Sequence, residues 1–260
     1  MTDHALTPIS VSEHAGMIWA RAAPTNHARS DAGPALLDMA TALGGLNPEL
    51  REYGFGTYQH YETRQLTQQM NWKLVIDTFL EPYHFAVLHR DTIAPIIFPN
   101  LCLFHPFGPH LRETIARRSI VGLKDLPTEQ WDLVTHSAIV YVLFPNTVLI
   151  MQADHVETWR VYPHPTDPNK CSMYLDFYIP EPATTERARQ HWDRNMDLTI
   201  RTVVEEDFPT SEGMQSGFLS GAQSEVTYGR NEPALAYFEQ QVNEHVNPTS
   251  SATGSIQGAL

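Results

Sequence analysis

Three side chains that could bind a metal or move a proton lie close together in the stretch 71–89, and they are Glu81, His84 and His89. As one helix, this stretch would bury an apolar stripe made of Trp72, Ile76, Phe79, Tyr83 and Val87. A second stripe would hold Asp77, Glu81 and His84, with Lys73 as the basic partner within the stretch. Two acids and an imidazole on one stripe favour a buried polar site over a solvated helix face.

The spacing of the two histidines sets a condition on the backbone. On an ideal helix, His84 and His89 would point about 140° apart and could not bind one ion. Pro82 beside the pair favours a helix that ends or loosens there. The spacing alone leaves a metal pair and two ordinary core histidines equally open.

The same stretch resembles the iron-binding segment of Rieske non-heme iron oxygenase large subunits, the aromatic ring-hydroxylating family. The resemblance is carried by Asn71-Trp72-Lys73, Asp77 and Glu81-x-Tyr83-His84-x4-His89. It implies that His84 and His89 bind Fe(II), one ion per subunit. It places Glu81 at the acid that links iron to a neighbouring subunit's Rieske cluster, and it suggests that Asp77 accepts a hydrogen bond from a ligand imidazole. The family often has Asp at the Glu81 position and an acid-Asn pair where this chain has Asp77-Thr78.

A second helical pattern offers a third ligand. In Thr184–Asp207, the apolar residues Trp192, Met196, Ile200 and Val203 form a stripe whose next step falls on Asp207. The pattern leaves open a buried carboxylate beside a cation and a frayed helix end in water. In the family, a Glu-Asp helix end followed by a Gln-Ser/Arg-Gly segment supplies the third ligand. The resemblance of Glu206-Asp207 and Gln215-Ser216-Gly217 therefore assigns Asp207 to iron, and 228–235 also resembles a family segment near the C-terminus.

Two cysteines, Cys102 and Cys171, exclude an intrinsic Rieske cluster, which needs two Cys and two His in two paired motifs. Only Cys102 has a histidine, His105, at a suitable spacing. We interpret both cysteines as small buried thiols. The resemblance then implies that a separate Rieske or ferredoxin protein and a reductase deliver the electrons, and that the chain forms a trimer.

Composition limits the remaining classes of function. A net charge of −13 argues against a nucleic-acid surface. The start of the chain lacks a secretory signal, and its apolar runs are too short for a membrane span, which predicts a soluble cytoplasmic protein. We expect one catalytic domain over 1–246 and a disordered tail over 247–260.

The element pattern predicts an α+β, helix-grip (START-like) fold, in which a long helix covers a curved antiparallel sheet. Strands are expected in a hairpin at Thr7–Ala22, at Tyr53–Thr63 and Gln65–Trp72, and in a meander of four. The meander comprises Ala138–Phe144, Thr147–Gln152, Val156–Tyr162 and Cys171–Ile179. Helices are expected at Pro34–Leu43, Thr184–Asp207 and Ala234–His245. Asp91–Arg112 is interpreted as irregular pocket lining, with His105 and His110 as surface or satisfied core residues.

Three functions remain open at this point. The leading hypothesis is the catalytic subunit of a split Rieske-type oxygenase, with a small organic substrate and O2. The second is an iron-free START-like binding or assembly subunit, which metal analysis would distinguish. The third is a zinc hydrolase, because two His and an Asp also suit Zn(II), with Glu81 as its general base.

Overall fold

The computed structural model describes residues 9–21, 36–223 and 225–247. The chain divides into two compact units, one within 1–58 and the other within 59–260. One catalytic domain over 1–246 remains a prediction. Residues 248–260, which make up nearly all of the expected tail, lie outside the described part of the chain.

The first unit contains the predicted hairpin, formed by β1 (Ser10–His14) and β2 (Met17–Arg21). Gly16 in its turn has a φ of 74°, and a Cβ there would lie 2.1 Å from the backbone nitrogen of Gly56. Only glycine fits this close approach. Helices α1 (Met39–Leu43) and α2 (Asn47–Glu52) follow. Of the short helix expected at Pro34–Leu43, residues 34–35 lie outside the described part of the chain, and the helix that the structure describes there begins at Met39.

The second unit is built on a seven-stranded antiparallel sheet with the strand order β3-β9-β8-β7-β6-β5-β4. The predicted four-strand meander is confirmed as β6 to β9, and it occupies the centre of the sheet. The strands are β3 (Gln59–Gln68), β4 (Ile97–Phe107), β5 (His110–Arg117), β6 (Ser137–Leu143), β7 (Thr147–Met151), β8 (Val156–Pro163) and β9 (Cys171–Ile179).

Two predictions about strands were wrong. In place of the two strands expected at Tyr53–Thr63 and Gln65–Trp72 there is one, β3, which covers Gln59–Gln68 and pairs with β9 along its length, with an irregularity at His60/Glu62. The stretch Asp91–Arg112 is not irregular, because most of it forms the β4–β5 hairpin, which turns at Gly108 with a φ of 60°. Within that hairpin His105 is exposed, whereas His110 is buried and accepts a hydrogen bond from the Phe144 amide at 3.0 Å.

Helices pack against this sheet, and together they confirm the α+β helix-grip prediction. Thr185 caps α4 by accepting a hydrogen bond from the Ala188 amide at 3.2 Å. The helix does not end at Asp207: a π-helical segment at Arg201–Asp207 leads directly into α5. The helices are α3 (Trp72–Asp77), α4 (Glu186–Ile200), α5 (Phe208–Leu219) and α6 (Pro233–Val246), the last of which confirms the predicted C-terminal helix.

The thiols lie in this second unit. Cys171 is buried, as predicted, and burial raises its pKa to about 11. Cys102 is half-buried, and burial, followed by the nearby Glu113 carboxylate, raises its pKa as well. Within the described ranges no helix has the length and apolar character needed to cross a bilayer.

A buried histidine joins α4 to the sheet: His155 packs edge-on against Trp192 of α4, with ring centroids 6.0 Å apart. His155 is 5% exposed, stacks on Phe177 with ring centroids 4.3 Å apart, and bonds Asp154 at 2.8 Å and Glu157 at 3.2 Å. Burial lowers the pKa of His155, but the two carboxylates outweigh it and raise the pKa above 6.5. Since α4 leads into the segment that carries Asp207, this contact helps to fix the site.

We expect the free energy of unfolding to contain a His155 contribution that is complete below about pH 6.5 and disappears as the pH rises through the higher folded-state pKa. The reason is that the folded protein binds the His155 proton more tightly than the unfolded chain does. Denaturant midpoints of wild type and His155→Gln at pH 6 and pH 9 test this. The difference in unfolding free energy between wild type and His155→Gln should be larger at pH 6 than at pH 9. An equal or larger difference at pH 9 contradicts this prediction.

Candidate metal centre

The backbone between the two histidines leaves the helix, as their spacing requires. Helix α3 ends at Asp77, and a single 3-10 turn at Tyr83–Ala86 follows Pro82. The apolar stripe expected to run to Val87 therefore stops near Phe79, and Tyr83 and Val87 are 47% and 79% exposed. Pro82 lacks an amide proton, so it cannot continue the helical hydrogen-bond series.

This break brings His84 and His89 together with Asp207 from the distant π-helical segment. The Oδ1 of Asp207 lies 3.5 Å from His84 Nε2 and 3.0 Å from His89 Nε2. One ligand atom from each residue falls within 4.8 Å of the other two. Phe85 packs on both imidazoles, with ring centroids 4.8 and 5.4 Å away.

A carboxylate fixes the outer nitrogen of each imidazole. His84 Nδ1 is hydrogen-bonded to Glu81, and His89 Nδ1 bonds Glu206 at 2.6 Å. Because a carboxylate only accepts, each Nδ1 is the donor to its carboxylate, which leaves Nε2 as the nitrogen of each ring that a metal beside Asp207 would bind. Glu81 also accepts from the Tyr83 amide at 2.6 Å, which holds the carboxylate in place.

The expected contact of Asp77 with a ligand imidazole is not found. Both Nδ1 atoms are bonded by Glu81 and Glu206, and both Nε2 atoms face Asp207, so no ring N–H is left for it. Burial and the Glu239 charge instead raise the pKa of Asp77, and the Lys73 charge lowers it. A catalytic role for Asp77 remains a prediction.

The environment of Asp207 differs from a helix end in water. The residue is 5% exposed, and burial raises the pKa of its carboxyl, against the opposing influence of His89 and His84. Hydrogen bonds in the π-helical segment span five residues instead of four, which changes the side of the helix that faces the core. As a result Asp207 and Phe208 are both buried. A carboxylate held in such a place is stabilised by a cation.

The second family-like segment ties α5 to the segment that holds the histidines. Gln215, on α5, accepts from the Asn71 amide at 2.8 Å and donates to Asn169 at 2.9 Å. Asn71 in turn caps α3 through the Lys73 amide at 3.0 Å. Gln215 thereby joins the two parts of the chain that supply the donors.

The donor set fits a divalent transition metal. His84 Nε2 is a buried nitrogen with no hydrogen-bond partner in the described part of the chain. Two donors bound at right angles with bonds of about 2.1 Å lie about 3 Å apart, close to the separations of the two nitrogens from Asp207. Two imidazoles and one carboxylate on one side form the facial arrangement used by non-heme Fe(II).

Sequence reasoning missed Glu206 and Thr92 as supporting residues. Glu206 accepts from His89 and from the Thr92 hydroxyl, the latter at 2.7 Å. An acid next to a ligand Asp and a hydroxyl three residues after a ligand His were the available signals. They were not decisive, because the helical period of α4 places Glu206 away from Asp207's face.

We expect Glu206→Gln to lower metal affinity by about 10- to 100-fold, since a neutral amide holds the His89 tautomer less strongly. Titration of the metal-free protein with Fe(II) measures the change. Glu205→Gln is the matched control, because Glu205 is exposed on the same segment. Equal affinities for the two variants would remove the orienting role from Glu206.

An open cavity of about 970 Å³ reaches the metal centre. Its walls are α3 and the turn after it, α5, α6 and the stretch 226–232. His84 and Asp207 line it, which gives a small molecule access to two of the three donors. Asp77, Glu81 and Tyr83 line it as well.

Fold and donors together define a helix-grip protein with a two-histidine, one-carboxylate site. Residues 55–248 match the family model of the ring hydroxylating alpha subunit, catalytic domain. The chain belongs to this family, whose members are mononuclear non-heme iron catalytic domains. No curated protein matches the chain.

Solved structures of Rieske monooxygenases share the fold. The quaternary ammonium Rieske monooxygenase CntA in complex with an inhibitor aligns at 16% identity and a TM-score of 0.69, over 91% of this chain and 61% of that one. A Pseudomonas putida CBB5 NdmA mutant with caffeine aligns at 13% and 0.51, over 91% and 60%. Dicamba monooxygenase bound to dicamba aligns at 10% and 0.52, over 91% and 68%. The chain thus spans about 61% of the CntA chain, and identities this low show the fold alone.

Proposed function

We propose that this chain is the catalytic component of a Rieske-type oxygenase, which inserts oxygen from O2 into a small organic substrate. The observation that carries the proposal is the convergence of His84, His89 and Asp207 within 4.8 Å of one another. Family membership supports the same chemistry.

In this proposal His84, His89 and Asp207 would hold one Fe(II) ion, and a site with three protein ligands has room for O2 and substrate. Bound iron would supply the reductive activation of O2. The chain supplies the geometry: Glu81 and Glu206 keep each Nδ1 protonated, and Phe85 limits rotation of both rings. Glu81 also lines the open cavity, where it could pass protons or electrons at a subunit contact.

The electrons would come from outside the sequence described here. The two cysteines of this sequence cannot complete a Rieske cluster, so in this proposal the cluster lies outside residues 1–260, on a Rieske or ferredoxin protein that a reductase supplies. A trimer, in which one subunit faces the next, and a cytoplasmic location belong to the same proposal.

The fold does not select the substrate. The aligned structures include complexes with L-carnitine, caffeine and dicamba, which differ in charge and shape. Hydroxylation, dihydroxylation and oxidative demethylation share one iron chemistry and differ in the carbon presented to it.

The two alternatives make different demands on the site. A zinc hydrolase needs a free general base, whereas Glu81 is engaged with His84 and the Tyr83 amide. An iron-free binding subunit does not require two imidazoles oriented towards one carboxylate, whereas Glu81 and Glu206 hold both Nδ1 atoms so that both Nε2 atoms face Asp207.

The test is anaerobic loading with Fe(II), followed by reaction with 18O2 and a reduced ferredoxin-type donor over a panel of small organic substrates. The proposal expects about one iron per chain and labelled oxygen in a product only when iron and donor are both present. A chain that takes up no Fe(II), or that hydrolyses substrates after zinc loading without transferring oxygen, contradicts it.

A further inference from the structure

Acidic side chains far outnumber basic ones on the wall of the cavity beside the metal centre. Five carboxylates line it, whereas Lys73 is the one ammonium group on its wall. No arginine lines it within the described residues. With all five carboxyl groups ionised, as they are above about pH 8, and a divalent ion on the triad, formal negative charges outnumber positive ones by two. The carboxylates are Asp77, Glu81, Asp207, Glu232 and Glu239.

Four of these carboxylates already have partners. Asp207 faces the imidazoles, and Glu81 is bonded to His84. Glu239 forms a two-pronged ion pair with Lys73 at 2.8 and 2.9 Å, which uses the ammonium group of this wall. Glu232 accepts from the Gly229 amide.

Asp77 is the exception. Its Oδ1 is inaccessible to solvent and has no hydrogen-bond partner in the described part of the chain. Burial, reinforced by the Glu239 charge, raises the pKa of Asp77 to about 8. An enclosed carboxyl oxygen without a partner is costly, because it has lost its water without gaining a replacement. The missing partner is a positive charge or a hydrogen-bond donor.

The rest of the wall suits the body of a small organic molecule. Leu74, Leu235 and Phe218 provide apolar surface, and Tyr83 and Tyr228 add aromatic rings. Aromatic rings attract ammonium groups through their electron-rich faces, and the attraction grows when water is excluded. A molecule with a positive end and an apolar body matches both kinds of lining.

We propose that this cavity takes a small organic cation, an ammonium or quaternary ammonium compound, with its charge beside Asp77 and its carbon skeleton towards His84 and Asp207. The assignment rests on the proposed function, since it treats the cavity as the place where the substrate waits beside the metal. It also excludes carboxylate substrates from this cavity, because they would meet an excess of negative charge.

The test compares choline with its uncharged carbon isostere, 3,3-dimethylbutan-1-ol, and with 3,3-dimethylbutanoate. Binding to the Fe(II)-loaded protein is measured by calorimetry without O2 or a donor, at pH 8.5. We expect choline to bind at least about tenfold more tightly than the alcohol, and the carboxylate to bind most weakly. Equal or tighter binding of the alcohol or the carboxylate overturns the proposal.

Two variants locate the charge that binds. Asp77→Asn should remove most of the preference for choline over the alcohol, whereas Asp125→Asn, an exposed acid, should leave it intact. Broadening of the choline methyl resonance by the bound Fe(II) places the ligand near the metal. A preference that survives Asp77→Asn, or a methyl resonance that Fe(II) leaves sharp, contradicts the assignment. If Asp77→Asn does not fold, the wild-type comparison of the three probes still decides.

The outcome separates this inference from the proposed function. Iron uptake and 18O transfer without a preference for choline would sink the inference and leave the oxygenase intact. A clear preference for choline in a chain that never transfers oxygen would sustain the cation site and sink the oxygenase.

Discussion

Replacing His89 by alanine should lower Fe(II) affinity by more than about 100-fold, because a lost ligand costs more than a lost supporting residue. His89 is 1% exposed, and its Nε2 lies 3.0 Å from the Asp207 carboxylate. Without the imidazole, the carboxylates of Asp207 and Glu206 lose the hydrogen-bonding group that lies between them. Iron content after anaerobic loading and desalting measures the effect.

The control is His105→Ala, which removes an exposed imidazole from β4. It should retain about one iron per chain, as in wild type. Added imidazole should restore part of the iron to His89→Ala by filling the space that the side chain leaves. Full iron occupancy in His89→Ala would show that the metal, if present, binds elsewhere.

Trp159→Ala should be the most destabilising single change in the core, at about 3–5 kcal/mol of unfolding free energy. Trp159 is fully buried on β8, where its ring lies 5.4 Å from Phe79 and 6.4 Å from Phe208. Phe79 follows α3, and Phe208 is next to Asp207. The tryptophan therefore supports both segments that supply ligands, and the variant should also lose iron.

Equilibrium denaturation followed by circular dichroism checks this prediction against Trp131→Ala. Trp131 is 42% exposed and donates one hydrogen bond to the Leu126 carbonyl at 3.1 Å. Its removal should cost less than about 1.5 kcal/mol. Similar losses for both variants would mean that Trp159 does not organise the core in this way.

The central sheet could be predicted because its strands are buried and separated by clear turn residues. Ser137–Leu143 is buried at every position, and such apolar runs stand out in a sequence. The β4–β5 hairpin could not be recognised as easily. β4 is an edge strand with exposed Leu101 and Leu103, and proline and histidine interrupt its pattern. The turn at Gly108-Pro109 was its most usable signal.

Some features of the metal site could likewise be predicted from the sequence, and others could not. The break between His84 and His89 could be predicted, because their spacing requires it and Pro82 allows it. The π-helical segment before Asp207 could not, because it depends on packing that the helical period of the sequence does not encode. For that reason Glu206 was overlooked as the partner of His89, and Asp77 was given a contact that Glu81 and Glu206 make.

The most direct measurement is a crystal structure of the iron-loaded protein with diffraction data above and below the iron absorption edge. We predict one anomalous peak per chain, bound by Nε2 of His84, Nε2 of His89 and the carboxylate of Asp207. An anomalous map without a peak among these three groups, from crystals of protein shown to contain iron, would contradict the account.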